Sequence, residues 1–204
     1  MLKEIHADTQ IDSLAQPSTI GVLYRGFLSP ESPLLDQAVS FFHQHPDKEK
    51  FSGNVGVAFE AYTDLYVCKR NTELNFLSEF KERIGGRLIQ QQAGLDICAS
   101  LVGFNALEGM TSHRDYSYNT HALATLVLSG ELLYGCAWTR HQTYHPQQMV
   151  LLGKRDLVLL QATTPHIKER PFFCMIAPSS SLISRLWIRD PKKCGQCSTG
   201  DIRG

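Results

Sequence analysis

Residues 122–137 read ALATLVLSGELLYGCA, two short apolar runs joined by a turn at Ser129-Gly130. Similar runs recur through the second half of the chain, with turn-forming residues between them and no helical spacing of the apolar positions. The other runs are ICASLVGF (97–104), MVLL (149–152), DLVLLQA (156–162), FFCMIAP (172–178) and SLISRLWIR (181–189). Many short strands at close intervals predict an antiparallel sandwich or barrel.

The first half of the chain predicts a mixture of strands and helices. IGVLYRGF (20–27) is typical of a strand, and residues 51–69 favour one or two strands interrupted by glycine. A helix is predicted to begin at Pro33, after a serine N-cap, and to stop at His45-Pro46. A second helix is predicted over residues 72–84, where apolar side chains recur at helical spacing.

These patterns together predict one α+β, mainly β domain. Its expected architecture is a double-stranded β-helix, or jelly-roll barrel, with about two N-terminal helices packed on one sheet. The length of 204 residues fits a single domain. We expect residues 1–94 to supply supporting strands and helices, residues 95–190 the catalytic barrel, and residues 191–204 a tail that contains the Cys194/Cys197 pair.

Charge and composition limit which binding partners and which cellular compartment we expect for this protein. The 20 basic and 20 acidic side chains cancel, which argues against a DNA-coating protein or a polybasic membrane binder. We expect no membrane partner, favour a small-molecule substrate, keep nucleic acid as an alternative, and leave the oligomeric state open. Glu4, His6 and Asp8 interrupt any apolar signal region, so we expect a cytoplasmic or nuclear protein that is not secreted. The cysteines are expected to be reduced.

His113 and Asp115 form an H-x-D motif, the clearest chemical signal in the chain. In a strand, side chains two residues apart share a face, so this imidazole and carboxylate can bind one metal ion. His166 follows an apolar strand 53 residues after His113 and is the candidate third ligand. Two histidines and one carboxylate are typical of non-haem Fe(II) oxygenases. A cupin-type ligand set that includes His141 or His145 is an alternative.

The order H-x-D, second histidine and arginine-bearing strand resembles the Fe(II)/2-oxoglutarate-dependent dioxygenase superfamily over residues 95–190. The resemblance implies that His113, Asp115 and His166 are the catalytic iron ligands and that Fe(II) and 2-oxoglutarate are the cofactors. It also implies an arginine on the distal carboxylate of 2-oxoglutarate, with Arg185 preferred over Arg189. A planar guanidinium suits this task because it makes two parallel hydrogen bonds to a carboxylate.

Two branches of the superfamily are distantly similar. The AlkB-like branch has an Asn-x-Tyr strand before H-x-D; the corresponding stretch here contains Asn105, a candidate cofactor-binding residue, but not the full pattern. The TET/JBP-like branch has an asparagine soon after H-x-D, and here Asn119 follows Asp115 by four residues. Asn119, with Tyr116 and Tyr118, is a candidate substrate-binding residue.

The resemblance implies an oxygenase that hydroxylates an unactivated C–H bond of a small molecule and releases succinate and CO2. A nucleobase oxygenase or demethylase acting on modified DNA or RNA is one alternative. A non-catalytic jelly-roll protein that binds a ligand is another, from a different functional class.

Overall fold

The computed structural model describes residues 2–6, 20–44, 49–53, 57–63, 96–114, 120–140, 149–161 and 171–189. These ranges contain helix α1 (Pro33–Gln44) and twelve strands. The strands are β1 (Leu2–His6), β2 (Gly21–Arg25), β3 (Glu49–Gly53), β4 (Val57–Thr63), β5 (Asp96–Phe104), β6 (Gly109–His113), β7 (Thr120–Ser129), β8 (Leu132–Ala137), β9 (Val150–Leu152), β10 (Leu157–Gln161), β11 (Phe172–Ile176) and β12 (Ser181–Arg189).

The strands form two sheets that pack face to face. The major sheet has the order β1-β2-β10-β7-β12-β5-β4-β3, and the minor sheet has the order β6-β11-β8-β9. Every neighbouring pair is antiparallel except β1 and β2, which are parallel. The predicted mainly β jelly-roll class is therefore confirmed, as are the seven strands expected after residue 95. The second predicted helix, over residues 72–84, lies outside the described residues.

Helix α1 begins at the predicted Pro33 and covers the outer face of the major sheet. Its buried residues Leu34, Leu35, Ala38 and Phe42 join one apolar cluster with that face. The ring of Phe42 packs directly over Gly103 of β5, where an added Cβ would lie 2.7 Å from a ring carbon. Glycine at this position lets the helix approach the sheet closely.

A second apolar cluster fills the space between the two sheets. The major sheet contributes residues such as Val102, Val127 and Ile183, and the minor sheet contributes Tyr134 and Phe173. Because side chains alternate along a strand, the residues of β12 that follow Ile183 in steps of two also face this inter-sheet space. The candidate site lies in this inter-sheet space.

A turn from Gly153 to Asp156 joins β9 to β10. The buried Asp156 carboxylate accepts hydrogen bonds from the backbone N–H groups of Gly153 and Gly26, each at 3.0 Å, and from Arg25 Nη1 at 2.6 Å. These contacts tie the turn to the end of β2.

No helix in the described part of the chain has the length and apolar character that crossing a membrane requires. Cys98, Cys136 and Cys174 are free cysteines. Cys68, Cys194 and Cys197 lie outside the described residues.

Candidate functional site

A β-bulge in β6 directs His113 into the space between the sheets. Met110 pairs with Met175 and His113 pairs with Phe173, so three steps along β6 match two steps along β11. In a regular strand, Met110 and His113 would point to opposite faces, because they are an odd number of positions apart. The extra residue reverses the alternation, as β-bulges do, and His113 joins Met110 on the inner face.

The ring nitrogens of His113 have different roles. Nδ1 lies 2.6 Å from the backbone oxygen of Thr111. A carbonyl oxygen can only accept a hydrogen bond, so Nδ1 is the donor in this contact. In a neutral ring, Nε2 then carries the lone pair that a metal ion needs, and the bond to Thr111 fixes the ring orientation as second-shell partners of metal-binding histidines do.

Arg185 of β12 also points into the inter-sheet space. The residue is only 3% exposed, and its guanidinium carbon lies 4.7 Å from the centre of the Phe173 ring and 5.2 Å from that of Trp187. Its Nη1 lies 3.7 Å from Met110 Sδ in the opposite sheet. The Arg185 side chain is therefore buried between the two sheets and not exposed to solvent.

One aromatic ring brings the histidine and the arginine together. The ring of Phe173 lies 4.2 Å from the His113 ring, centre to centre, and also contacts the Arg185 guanidinium. The two charged or metal-binding groups therefore lie within the reach of one small ligand. Tyr134 stacks parallel to the same Phe173 ring at 6.2 Å and completes an aromatic wall.

Two hydroxyl residues flank Arg185 on the inner face of the major sheet. Arg185 pairs with Thr125 of β7 on one side and with Ser100 of β5 on the other. Thr125 is fully buried, and its hydroxyl has no hydrogen-bond partner in the structure. A buried polar atom without a partner is costly in native proteins, and a ligand carboxylate bound beside Arg185 can accept the hydrogen bond of this hydroxyl. An arginine with an adjacent hydroxyl can bind a carboxylate through several hydrogen bonds.

Cys136 of β8 pairs with Phe173 across the minor sheet. Burial raises the pKa of the Cys136 thiol to about 12. Desolvation disfavours the thiolate, so in the absence of a metal ion this group is a neutral thiol at pH 7 rather than an anionic nucleophile.

Of the remaining predicted site residues, only the side chain of Asn105 is described, and it lies apart from this group. Asn105 is exposed in the turn between β5 and β6, where its side-chain Nδ2 donates to Glu108 Oε1 at 3.3 Å. Arg189 ends β12, and its side chain lies outside the described residues, as do the other predicted ligands and substrate contacts. These are Asp115, Tyr116, Tyr118, Asn119 and His166.

Sequence reasoning missed Thr125, Ser100 and Phe173. Thr125 interrupts an otherwise apolar run with one hydroxyl, which was the available signal, but threonine is common in strands. In the described part of the chain, no three His, Cys, Asp or Glu residues form a metal-binding group. Of the predicted iron ligands, only His113 belongs to that part.

Comparison with known proteins finds likeness in structure but not in sequence. No protein-family model matches the chain, and a search of curated proteins finds no match. A prolyl-4-hydroxylase from Pseudomonas putida aligns with a TM-score of 0.57 and 12% identity, over 83% of this chain and 92% of that one. A Trichoplax adhaerens prolyl hydroxylase, in complex with a hypoxia-inducible-factor peptide fragment, aligns with a TM-score of 0.55 and 14% identity, over 89% of each chain.

A viral collagen prolyl hydroxylase from Paramecium bursaria Chlorella virus-1, in complex with 2-oxoglutarate, also aligns with a TM-score of 0.55 and 11% identity. The alignment covers 87% of this chain and 99% of the viral one. At such low identity the likeness shows the fold and does not show the reaction. The fold of this chain is a jelly roll like that of the prolyl hydroxylases.

Proposed function

We propose that the protein is an Fe(II)- and 2-oxoglutarate-dependent oxygenase that hydroxylates an unactivated C–H bond of a small molecule. The observation that carries the proposal is the Phe173 ring, which joins His113 of the H-x-D motif to the buried Arg185. The histidine would bind the iron that holds one end of 2-oxoglutarate. The buried arginine and its neighbouring hydroxyl would bind the carboxylate at the other end. The jelly-roll fold supports the same assignment.

His113, Asp115 and His166 are the proposed iron ligands. The hydrogen bond from His113 Nδ1 to Thr111 leaves Nε2 as the nitrogen with the lone pair, which suits a metal ligand. Iron with bound 2-oxoglutarate and O2 supplies the oxidising power for hydroxylation, with release of succinate and CO2. The protein's contribution is to orient the ligands and the substrate.

Arg185 is the proposed partner of the distal carboxylate of 2-oxoglutarate, and Thr125 donates a further hydrogen bond to it. The ring of Phe173 and the Met110 side chain hold the guanidinium in place. The same apolar side chains exclude water, which strengthens the ion pair between the arginine and the carboxylate. Arg189 is the second candidate for this role.

The proposal is tested by adding Fe(II) and 2-oxoglutarate under anaerobic conditions and recording the visible spectrum. A weak charge-transfer band is expected for the wild-type protein. His113→Ala should abolish the band, whereas His43→Ala, a matched control at the exposed end of α1, should keep it. Arg185→Ala should raise the 2-oxoglutarate concentration needed for half of the signal. If Arg189→Ala has this effect instead, then Arg189 is the cosubstrate ligand.

A folded wild-type protein with no band and no 2-oxoglutarate turnover would overturn the proposal. Binding of 2-oxoglutarate in calorimetry without iron-dependent turnover would indicate the non-catalytic binding protein. Turnover stimulated by methylated nucleosides, but not by small acids or amines, would indicate the nucleobase oxygenase.

A further inference from the structure

Arg114, the middle residue of the H-x-D motif, lies on the other side of β11 from His113. Its guanidinium carbon is 3.8 Å from the centre of the Phe172 ring, whereas His113 contacts the next residue, Phe173. Consecutive residues of a strand face opposite sides of the sheet. The end of β11 therefore has the candidate metal ligand on its inner face and a cation on its outer face.

The position of Arg114 leaves its hydrogen-bond donors available to a ligand. The Phe172 ring occupies the flat face of the guanidinium, but the N–H donors lie in the guanidinium plane and point past the ring edge. Arg114 Nε is buried and has no hydrogen-bond partner. Among the described residues, the ion pairs join Arg25 with Glu4 and Asp156, and Lys154 with Asp36; none includes Arg114.

We propose that Arg114 binds a carboxylate or phosphate group of the substrate, so that the substrate is a small anionic molecule. This inference rests on the proposed function, because it names the substrate class of that oxygenase. In the proposed oxygenase the neighbouring residue His113 would bind the iron, and stacking on Phe172 fixes the orientation of the Arg114 guanidinium beside the end of β11. Arg185 lies inside the barrel, so the two arginines serve different anions.

The inference is tested by NMR of the Nε–H groups of 15N-arginine-labelled wild-type protein, without iron and without 2-oxoglutarate. Burial of Arg114 Nε slows its exchange with water and helps the signal to be seen. Arg114→Lys, which keeps the charge but removes this N–H, assigns the signal; Arg114→Gln provides the same assignment if the lysine variant folds poorly. Sodium acetate and sodium phosphate are the two probes, and sodium chloride at equal ionic strength is the control.

We expect the Arg114 signal to shift saturably with at least one probe. A shift with acetate alone assigns a carboxylate, a shift with phosphate alone assigns a phosphoryl group, and a shift with both assigns a general anion site. In Arg114→Gln, calorimetric titration with the probe that shifts the wild-type signal should show binding weakened by about 10- to 100-fold, because a charge-assisted hydrogen bond is lost. Lys154→Gln, which removes an exposed cation elsewhere, should leave the titration unchanged.

An Arg114 signal that moves no further with either probe than with chloride overturns the inference. Because the measurement needs neither iron nor turnover, its failure is distinct from failure of the oxygenase proposal. Anion binding at Arg114 in a protein with no 2-oxoglutarate turnover would contradict only the proposed function. Turnover without anion binding would contradict only the role of Arg114.

Discussion

Replacement of Thr125 by valine should change the stability of the protein and its affinity for 2-oxoglutarate in opposite directions. The substitution keeps the shape of the side chain and removes a fully buried hydroxyl that has no hydrogen-bond partner. An unsatisfied buried polar group costs about 1–3 kcal/mol. Thr125→Val should therefore raise the free energy of unfolding of the ligand-free protein by about 1 kcal/mol, which corresponds to about 2–4 °C in Tm at this chain length.

Binding of 2-oxoglutarate should stabilise the wild-type protein more than the Thr125→Val variant. Arg185 and Thr125 are cross-strand neighbours on the inner face, so both can reach one carboxylate. A hydrogen bond to a charged group contributes about 1.5–3 kcal/mol, and its loss should weaken 2-oxoglutarate binding by about 10- to 100-fold. The rise in Tm that saturating 2-oxoglutarate causes should therefore be smaller in Thr125→Val than in the wild-type protein.

Ser184→Ala is the matched control for this experiment. Ser184 is also fully buried with an unpartnered hydroxyl, but it lies next to Arg185 in β12 and so faces the helix side of the major sheet. Its removal should leave 2-oxoglutarate binding unchanged. Thermal denaturation with and without 2-oxoglutarate measures both variants. A Thr125→Val protein with lower ligand-free stability, or with a wild-type response to 2-oxoglutarate, would refute the reasoning.

Three further predictions concern the frame around the site. Gly103→Ala should lower the free energy of unfolding by about 1–3 kcal/mol, because the new Cβ overlaps the Phe42 ring. Urea denaturation measures this loss. If the contact with Phe42 is its cause, adding Phe42→Leu should recover part of the lost stability. Asp156→Asn should lower the free energy of unfolding by about 2 kcal/mol in the same assay, because the buried carboxylate binds Arg25 and two backbone N–H groups. An unchanged urea midpoint would show that the turn is stable without the charge. Cys136, with a pKa of about 12, should react slowly with iodoacetamide at pH 8, and rapid labelling at that pH would contradict the raised pKa. The folded protein holds the thiol proton more tightly than the unfolded chain does. The free energy of unfolding should therefore fall as the pH rises from 9 to 12.

Most of the barrel could be predicted from sequence because strand patterns are local. The runs that became β5, β7, β8, β9, β10, β11 and β12 are apolar, short and bounded by turns, so each can be recognised as a strand without knowledge of its partner. β6 was missed because it contains one large apolar residue, Met110, and because the bulge breaks its alternation. β1 was missed because this five-residue strand lacks an apolar alternation and depends on pairing with β2, the next strand.

The site could be predicted only in part, for a different physical reason. H-x-D is recognisable because metal binding needs particular donor atoms. The sequence could not show on which face of the sheet the Arg185 side chain lies, because β12 is buried on both faces and its apolar residues do not alternate with polar ones. Thr125 has the residue type that any strand favours. Only the register with the neighbouring strands places these two side chains beside each other.

The bulge in β6 therefore determines which side chains at the end of this strand face the inter-sheet space. In a regular strand, the face that holds Met110 would hold Ser112 and Arg114, and His113 would point outward. Arg114 would then share the inter-sheet space with Arg185, and two desolvated cations repel each other strongly. With the extra residue, the imidazole faces Arg185 across Phe173 and the cation of Arg114 rests on Phe172 outside. One inserted position thus separates the proposed iron and cosubstrate site from the proposed substrate anion site, although their residues are adjacent in sequence.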